Sequence, residues 1–253
     1  MKAEEYAWMA ALEKDFWWYR GMRAITRSFT RRPLAAGPKR LLDAGCGTGF
    51  NLADLQQWVP VSLAVGLDLS AEAFRWKGRQ LSLPVQADVI RLPFRRRSFD
   101  LISSFDVLYT LPSADEVESA LREFHAALSP GGWLLLRVPA FPFLYGSHDR
   151  AVGGQQRFRR KPLCRQVSAA GLQVRRVTYV NSLLFPAAIL KRLFYRHMRA
   201  TESSEVRPVP RWLDRLLHAF LVWEAFLLRW DAMRFPFGLS LLLLARKPPE
   251  ADK

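Results

Sequence analysis

The chain has 253 residues, half of them apolar, and carries a formal net charge of +15. This length and composition predict one folded domain with additions and exclude a disordered chain. The charge predicts affinity for polyanions such as nucleic acid, an anionic membrane face or a phosphorylated substrate, although an arginine-rich genome would also produce it. Cys46 and Cys164 are too few for a disulfide framework and lack metal-ligand spacing, so no metal site is expected.

The N-terminal residues Met-Lys-Ala-Glu-Glu-Tyr have no apolar segment of the signal-peptide type. No apolar run reaches the roughly 18–20 residues that cross a bilayer. Together with the low cysteine content, these features predict a cytoplasmic protein. The positive charge leaves open a peripheral position at the inner membrane face.

The segment 1–34 precedes the first predicted strand and has the pattern of an amphipathic helix. Its apolar side repeats every three or four residues, at Trp18, Met22, Ile25 and Phe29. Its basic side carries Arg20, Arg23, Arg27 and Arg31. Two interpretations stay open: the aromatic residues pack on the sheet, or the helix forms a lid over a ligand, with Arg20 or Arg23 near an anionic group.

Residues 41–50, Leu-Leu-Asp-Ala-Gly-Cys-Gly-Thr-Gly-Phe, predict a strand, a tight glycine turn and the start of a helix. Glycines at 45, 47 and 49 suit a turn with unusual φ and ψ angles and let a ligand approach the backbone. Asp43, directly before the glycines, would repel a pyrophosphate. The turn therefore favours a cationic or amino-bearing ligand over a dinucleotide.

Three more strands follow the glycine turn. Residues 61–70 form a buried strand ending at Asp68, which is placed to accept hydrogen bonds from both hydroxyls of a ribose. Residues 84–89 form a short third strand that contains Asp88, and residues 98–106 form the fourth. In a parallel sheet the carboxyl ends of these strands meet at one edge, where a ligand binds.

These stretches, in this order, resemble class I S-adenosylmethionine (SAM) methyltransferases, within the methyltransferase type 11 and ubiquinone–menaquinone biosynthesis-like superfamily. The glycine turn matches motif I, residues 87–94 match A-D-x-x-x-L-P-F, and residues 128–132 match L-x-P-G-G. The resemblance implies SAM as the cofactor, with Asp68 on the ribose, Leu69 against the adenine and Asp88 on the adenine amino group. The implied cofactor-binding set is Asp43, Gly45, Cys46, Gly47, Gly49, Asp68, Leu69, Asp88, Val89 and Phe105.

A closer resemblance is to a bacterial subgroup with W-W near the N-terminus and H-D after the fifth strand. Trp17-Trp18 and His148-Asp149 match these pairs. The subgroup's following H-H-R-R-Y reads Gly-Gln-Gln-Arg-Phe at 154–158, so the role of its histidines does not transfer. His148 is predicted as a general base, and a loop histidine bonded to its neighbours is the alternative.

The segment after the fourth strand also departs from the family. Many relatives continue D-V-L-E-H, and this chain has Asp-Val-Leu-Tyr-Thr at 106–110. The missing Glu and His remove one acid–base pair. Asp106 and Tyr109 remain as lower-ranked candidates for deprotonating an acceptor.

The predicted fold is α/β, a Rossmann-like seven-stranded sheet with an N-terminal helical extension and a helical insertion before the last strand. Further strands are predicted at residues 133–138, 174–180 and 238–247. The predicted organisation is a lid at 1–34 and a methyltransferase domain at 35–253 that contains the insertion at 182–236.

The insertion combines basic and apolar helical faces. Arginines align at Arg192, Arg196 and Arg199. A broad apolar surface follows at Trp212, Leu213, Leu216, Leu217, Phe220, Trp223, Phe226, Leu227 and Trp230. Three interpretations stay open: an interfacial contact with an anionic membrane, a helical cap on the protein's own core, or a homodimer interface.

The leading functional hypothesis is methyl transfer to a small acceptor that is apolar or lipid-linked and anionic. A nucleic-acid methyltransferase is the alternative. N6-adenine and N4-cytosine enzymes resemble one another in an N/D-P-P-Y/F motif, and the chain lacks this motif. A non-catalytic SAM-binding scaffold is a third hypothesis. The intact acids Asp43, Asp68 and Asp88 argue against it, because a lost site would tolerate changes there.

Overall fold

The computed structural model describes residues 3–37, 39–76, 83–195 and 209–250. Its centre is a seven-stranded sheet with the order β3-β2-β1-β4-β5-β7-β6. β7 runs antiparallel to both of its neighbours, and the other pairings are parallel. The strands are β1 Arg40–Ala44, β2 Leu63–Asp68, β3 Leu83–Gln86, β4 Phe99–Phe105, β5 Leu128–Pro139, β6 Gln173–Val180 and β7 Ser240–Arg246. The predicted α/β sheet is confirmed.

Eight α-helices flank the sheet within the described ranges, none of them combining the length and apolar character needed to cross a membrane. They are α1 Ala3–Leu12, α2 Trp17–Thr30, α3 Phe50–Trp58, α4 Ala114–Ala127, α5 Ser147–Ala151, α6 Arg160–Ala169, α7 Phe185–Tyr195 and α8 Arg211–Leu227. Short 3₁₀ helices occupy Ala71–Trp76, Leu108–Thr110 and Pro142–Leu144. The predicted N-terminal extension and insertion are present as α1–α2 and α7–α8.

Two apolar layers cover the two faces of the sheet. β7 shows how one strand serves both, because successive side chains point to opposite faces. Leu241 and Leu243 join the layer under α4 and α6, and Leu242 and Leu244 join the layer under α2, α3 and α8. This double burial explains the continuous apolar run of the last strand.

The elements differ from the sequence prediction at three places. The N-terminal segment forms two helices, because the chain turns between Leu12 and Trp17. β3 ends at Gln86, so Asp88 lies in the loop that follows it. The strand predicted to begin at residue 133 begins earlier, since β5 starts at Leu128 and has an irregular register against β4 before Trp133.

The insertion packs on the protein's own core through one face of α8. Leu221, Ala225 and Leu228 are buried there against α2 and the sheet. The buried Glu224 accepts the backbone N–H groups of Asn181 and Ser182, at 2.8 and 2.9 Å, and so ties α8 to the end of β6. Burial raises the pKa of Glu224 to about 7.

The remaining insertion residues are only partly described. Arg192 lies within α7, but its side chain, together with Arg196 and Arg199, falls outside the described residues. The basic side of α2 is described, and two of its arginines have partners within the protein. Arg20 contacts Asp214 and His218 of α8, and Arg23 contacts the backbone carbonyls of Glu13 and Lys14.

The close approach of α2 and α8 depends on Gly21. A Cβ atom built on Gly21 would lie 2.3 Å from Leu221 Cδ1 and 2.5 Å from Leu221 Cβ. We expect Gly21→Ala to lower the free energy of unfolding by about 1–3 kcal/mol, because it overpacks this contact. Helix propensity alone would raise the free energy of unfolding, because alanine is a better helix former than glycine by about 1 kcal/mol. The steric clash and the helix propensity therefore predict changes of opposite sign.

Urea unfolding followed by circular dichroism measures this change. Arg27→Ala, at an exposed position of the same helix, is the control and should stay within about 0.5 kcal/mol of wild type. A Gly21→Ala protein more stable than wild type would show that the two helices are not in this close contact.

Candidate active site

In the glycine turn between β1 and α3, every second residue has a left-handed backbone conformation. Gly45, Gly47 and Gly49 have φ of 83°, 55° and 85°. The backbone N–H groups of Gly45 and Cys46 both donate to the carbonyl of Leu67, at 2.7 and 2.8 Å. These bonds fix the turn against the end of β2, so that β1 and β2 present their carboxyl ends together.

Asp68 joins three parts of the site through one carboxylate. Its Oδ2 accepts the N–H of Gly47 at 2.9 Å. Its Oδ1 accepts the N–H of Ser70 at 3.0 Å and the hydroxyl of Tyr6 at 3.1 Å. The glycine turn, the segment after β2 and the N-terminal helix α1 are therefore held by the same side chain.

Helix α1 covers the glycine turn from outside. Met9 lies so close that a Cβ on Gly47 would come within 2.8 Å of its Cε. The hydroxyl of Thr48 donates to the carboxylate of Glu13, with both oxygens at 2.6 Å. Burial raises the pKa of Glu13 to about 7. The predicted lid position is thus occupied by α1 as well as by α2.

A cavity of about 1190 Å³ lies at this edge of the sheet. Most of the predicted cofactor-binding residues line it: Gly45, Cys46, Gly47, Asp68, Leu69, Asp88, Val89 and Phe105. Leu69 is largely exposed, and Val89 and Phe105 are buried. The structure therefore brings the residues after β1, β2, β3 and β4 to one place, and their role in cofactor binding stays a prediction.

Asp43 and Gly49 do not line the cavity, and their role in cofactor binding stays a prediction. Gly49 begins α3 at its N-cap position. Asp43 lies beneath the turn, 1% exposed, where it accepts the hydroxyl of Ser103 at 2.7 Å. Burial raises the pKa of Asp43 to about 7, against the opposing effect of Arg137. Asp43 can therefore act on a ligand only through its charge.

A buried ion pair lies at the carboxyl ends of β4 and β5. Arg137 binds Asp106 through Nε at 2.8 Å and through a terminal nitrogen at 2.7 Å. Its guanidinium lies 5.2 Å from the ring centre of Trp18 and 5.0 Å from that of Phe105. Asp106 has a φ of 55°, a costly conformation for a residue other than glycine. The pair is one of the charged groups that line the cavity.

His148 lies on α5 and lines the same cavity. Its Nδ1 is buried and has no hydrogen-bond partner in the described part of the chain. The neighbouring Asp149 pairs with Arg157, at 2.9 Å between the closest atoms. The two residues of the H-D pair therefore differ in their positions. Asp149 is paired with Arg157 within the loop, and His148 is part of the cavity wall.

Tyr109 and Gly154, which both depart from the family pattern, contact each other. A Cβ on Gly154 would lie 2.3 Å from Cε2 of Tyr109. Tyr109 thus fills space that a larger residue at 154 would need. Burial and the neighbouring Asp106 raise the pKa of Tyr109, which keeps its hydroxyl protonated at neutral pH.

Unpartnered polar atoms concentrate at the cavity. Among the described residues, four buried side-chain nitrogen or oxygen atoms lack a hydrogen bond, and three belong to cavity-lining residues: Trp17 Nε1, His148 Nδ1 and Asn181 Oδ1. Buried polar groups in proteins are nearly always hydrogen-bonded. Three such atoms around one cavity indicate that a ligand or water supplies their partners.

Sequence reasoning missed four residues of this site. Arg137 carried a usable signal, because a charged residue inside an apolar strand needs a buried partner. Tyr6 and Glu13 carry no local signal, since their contacts cross 62 and 35 residues of sequence. Asn181 follows β6 with a φ of 61°, which the sequence does not indicate.

The chain belongs to the family of methyltransferase domains, whose model matches residues 17–177. This membership confirms the resemblance to class I methyltransferases and supports S-adenosylmethionine as the cofactor. The residues present fit that cofactor: the turn exposes bare backbone, and Asp68 offers a carboxylate at the cavity wall. The amino group of the cofactor would be attracted by Asp43 from below the turn.

Curated relatives match part of the chain. The chain is 34% identical over 117 residues to a demethylmenaquinone methyltransferase of Roseiflexus castenholzii, and the match covers 45% of this chain and 47% of that protein. It is 30% identical over 138 residues to a malonyl-[acyl-carrier protein] O-methyltransferase of Legionella pneumophila, covering 53% and 45%. The chain thus spans about half the length of these relatives. A demethylmenaquinone methyltransferase of Thermus thermophilus matches at 26% identity over 85% of this chain and 86% of that protein.

Solved structures show the same fold over nearly the whole chain. A SAM-dependent methyltransferase of Thermotoga maritima has a TM-score of 0.59 at 16% identity, covering 96% of this chain and 95% of that one. The N-methyltransferase NodS of Bradyrhizobium japonicum, solved with S-adenosyl-L-homocysteine, has a TM-score of 0.58 at 13% identity and covers 97% of both chains. At these identities the likeness establishes the fold alone.

Helix α1 would compete with the cofactor for Asp68 if this carboxylate binds the ribose as predicted. A carboxylate offers about four acceptor positions, and Gly47, Ser70 and Tyr6 occupy three of them. Two ribose hydroxyls need two positions, so the Tyr6 hydroxyl must leave when the ribose binds. We expect Tyr6→Phe to bind SAM about two- to tenfold more tightly in calorimetry, because a net hydrogen bond of about 0.5–1.5 kcal/mol no longer opposes binding.

Tyr179→Phe is the matched control, since Tyr179 is a buried tyrosine outside the cavity. Its SAM affinity should equal that of wild type. Weaker SAM binding by Tyr6→Phe would mean that the Tyr6 hydroxyl contacts the cofactor and does not compete with it.

SAM affinity should also depend on pH through Asp43. The pKa of Asp43 in the free protein is about 7, and only the ionised carboxylate attracts a cationic amino group. Affinity should therefore rise about five- to tenfold between pH 6 and pH 8, with a proton released on binding. Calorimetry in buffers of different ionisation enthalpy measures both quantities.

The variant Asp43→Asn should bind SAM weakly and with no pH dependence. Glu13 has a pKa of about 7 as well and lines the cavity, so Glu13→Gln separates the two carboxyls. If Glu13→Gln abolished the pH dependence and Asp43→Asn retained it, the assignment to Asp43 would be wrong.

Proposed function

We propose that the protein transfers a methyl group from SAM to a small acceptor that is apolar and of lipid-linked type. The supporting observation is the lining of the cavity, which combines the predicted cofactor residues with a group of apolar side chains. Apolar side chains of the segment after β5, of α7 and of the residue before β7 also line the cavity, at Phe143, Leu144, Val152, Ala188, Ile189 and Leu239.

The charges of the cavity refine the proposal. Of the basic segment after residue 150, Arg150 and Arg157 line the cavity, and Arg159, Arg160 and Lys161 do not. Arg157 and Arg137 are neutralised by Asp149 and Asp106. Two arginines of the cavity wall are thus compensated within the chain, which favours an acceptor whose contacts are mainly apolar.

When bound, the cofactor supplies an electrophilic methyl group. The chain's own task is to hold the acceptor in line and exclude water, since positioning contributes most of the rate in such a displacement. The unpartnered Trp17 Nε1 and Asn181 Oδ1 offer one donor and one acceptor for orienting a polar group. The apolar side chains exclude water around it.

His148 is the proposed general base for an acceptor hydroxyl or amine. Asp106 is committed to Arg137. The pKa of Tyr109 is raised by burial, so its hydroxyl does not accept a proton at neutral pH. The Nδ1 atom of His148 is buried and has no hydrogen-bond partner in the described residues, and we propose that it accepts the proton when an acceptor is bound.

The names of the three relatives reported above are consistent with an acceptor of this class, whereas a trans-aconitate 2-methyltransferase of Deinococcus radiodurans, 37% identical over 133 residues, is named for a different class of acceptor. Two of the three act, by name, on demethylmenaquinone, and one acts on malonyl-[acyl-carrier protein]. We extend to this chain only the general class, a small acceptor with an apolar portion. We propose that the protein acts in the cytoplasm.

The first experiment measures SAM and S-adenosylhomocysteine binding by calorimetry for wild type and Asp68→Ala. The expected result is micromolar binding to wild type and at least a tenfold loss in the variant, because Asp68 carries a charged hydrogen bond to the ribose. No binding of either ligand by wild type would contradict the methyltransferase proposal.

The second experiment offers tritiated SAM with a prenylated hydroquinone, a long-chain fatty acid, trans-aconitate and total cellular RNA. Label in the organic-soluble acceptors supports the proposal. Label in RNA alone would overturn it in favour of the nucleic-acid hypothesis, and label in trans-aconitate alone would exclude an apolar acceptor.

His148→Gln should lower kcat about 100-fold while leaving SAM affinity unchanged, because general-base catalysis contributes about 10²- to 10⁴-fold. The acidic limb of the pH profile of kcat should disappear with it. His125→Gln is the control, since His125 lies on α4 outside the cavity. An unchanged kcat and pH profile in His148→Gln would remove His148 from the mechanism.

A further inference from the structure

Helix α8 is apolar on two opposite sides. Its inner side is buried on α2 and the sheet through Leu221, Ala225 and Leu228. Its outer side carries a second row of large apolar residues, which we name the α8 stripe: Trp212, Leu216, Phe220, Trp223, Phe226 and Trp230.

The α8 stripe follows helical geometry and is exposed. Five of its members lie within α8 at intervals of three or four residues and form one line along the helix, and Trp230 follows three residues after the helix ends. Among the described residues, each is at least 41% exposed, and Trp212 reaches 67%. Single exposed apolar residues are ordinary, whereas a continuous row with three tryptophans marks an interaction surface.

The charges beside the α8 stripe that have no described partner are positive, and Asp231, which follows Trp230, is bound to Arg32 and Arg176. α8 contains two acidic residues, and neither is available at the stripe. Glu224 is fully buried, and Asp214 is bound to Arg20 and to the backbone N–H of Trp17. On the other hand, Arg215 and Arg229 are exposed on one flank, and neither is within salt-bridge distance of a described carboxylate.

A shallow depression adjoins the C-terminal end of the stripe. It has a volume of about 470 Å³ and is lined by Arg31, Arg32, Phe226, Arg229 and Trp230. Phe226 and Trp230 meet edge to face at 5.0 Å, and the Arg229 guanidinium lies 5.9 Å from the Phe226 ring centre. Arg32 is paired with Asp231. Several guanidinium groups around one hollow suit a phosphate group.

We propose that the α8 stripe docks on the surface of an anionic phospholipid bilayer. In this arrangement the row of tryptophan, phenylalanine and leucine side chains enters the boundary between headgroups and acyl chains, as in interfacial helices. The flanking arginines meet the lipid phosphates, and the depression accommodates one headgroup. The inner face of α8 stays on the protein, so the helix lies flat and does not insert across the membrane.

Charge favours a bilayer over a second copy of the chain. In a two-fold symmetric dimer the same patch faces itself. Such a contact through the α8 stripe would place the exposed arginines of one copy near those of the other, at a cost from like charges. An anionic membrane supplies the opposite charge along the whole flank.

The test is sedimentation of the full chain with large unilamellar vesicles, without SAM or an acceptor. Vesicles of phosphatidylcholine with about 30% phosphatidylglycerol are compared with vesicles of pure phosphatidylcholine. The anionic fraction is chosen to be on the order of that in natural membranes. We expect binding to the anionic vesicles and at least tenfold weaker binding to the neutral ones. Because no methyl transfer is measured, the result is independent of the proposed function.

Two variants test the two parts of the surface. Trp212→Ser with Trp223→Ser should weaken binding at least tenfold by removing apolar contact, and Leu63→Ser, at an exposed apolar position on β2, should not. Arg215→Gln with Arg229→Gln should weaken it about tenfold. Arg95→Gln with Arg96→Gln removes the same charge from another exposed loop and should have little effect.

Three outcomes would overturn the proposal. One is no binding of wild type to anionic vesicles. Another is an equal loss in the Arg95/Arg96 control pair and the α8 pair, which would mean non-specific attraction by net charge. The third is a dimer in analytical ultracentrifugation that Trp212→Ser with Trp223→Ser dissociates, which would assign the stripe to a second copy. Thermal unfolding of each variant checks that the exposed substitutions leave the fold intact.

Discussion

The carboxylate of Asp68 is the interaction on which the site depends. It lies at the carboxyl end of β2 and binds the glycine turn, the segment after β2 and helix α1 at once. The turn can meet it only because glycines adopt left-handed conformations there. Three segments of the chain are therefore held by one carboxylate. Their relative positions at the cavity depend on it.

The insertion extends this arrangement to the far side of the cavity. Glu224 fixes α8 to the end of β6, and Asp214 fixes its first turn to Trp17 of α2. α2 carries Trp18 onto Arg137. The residues between β6 and β7 are thus part of the layer that covers the sheet, and they support the aromatic wall of the cavity.

Much of the fold could be predicted, because short-range signals encode it. The alternation of glycines, the acids at strand ends and the leucine run of β7 each reflect local geometry. The site could be predicted only where a motif lies in one loop. Tyr6 and Glu13 reach the turn across the sequence, and the contact of Tyr109 with Gly154 joins two departures that appear unrelated in the chain. Asp43 was placed at the ligand because its motif adjoins the turn, although its side chain points beneath it.

The bond between Tyr6 and Asp68 has a consequence for turnover. If the ribose binds Asp68 as predicted, helix α1 would act as an internal competitor for that position. Substrate and demethylated product carry the same ribose, so the competitor weakens both by the same factor. The first helix would therefore raise the cofactor concentration for half-saturation and the product concentration for half-inhibition together, and it would leave their ratio unchanged.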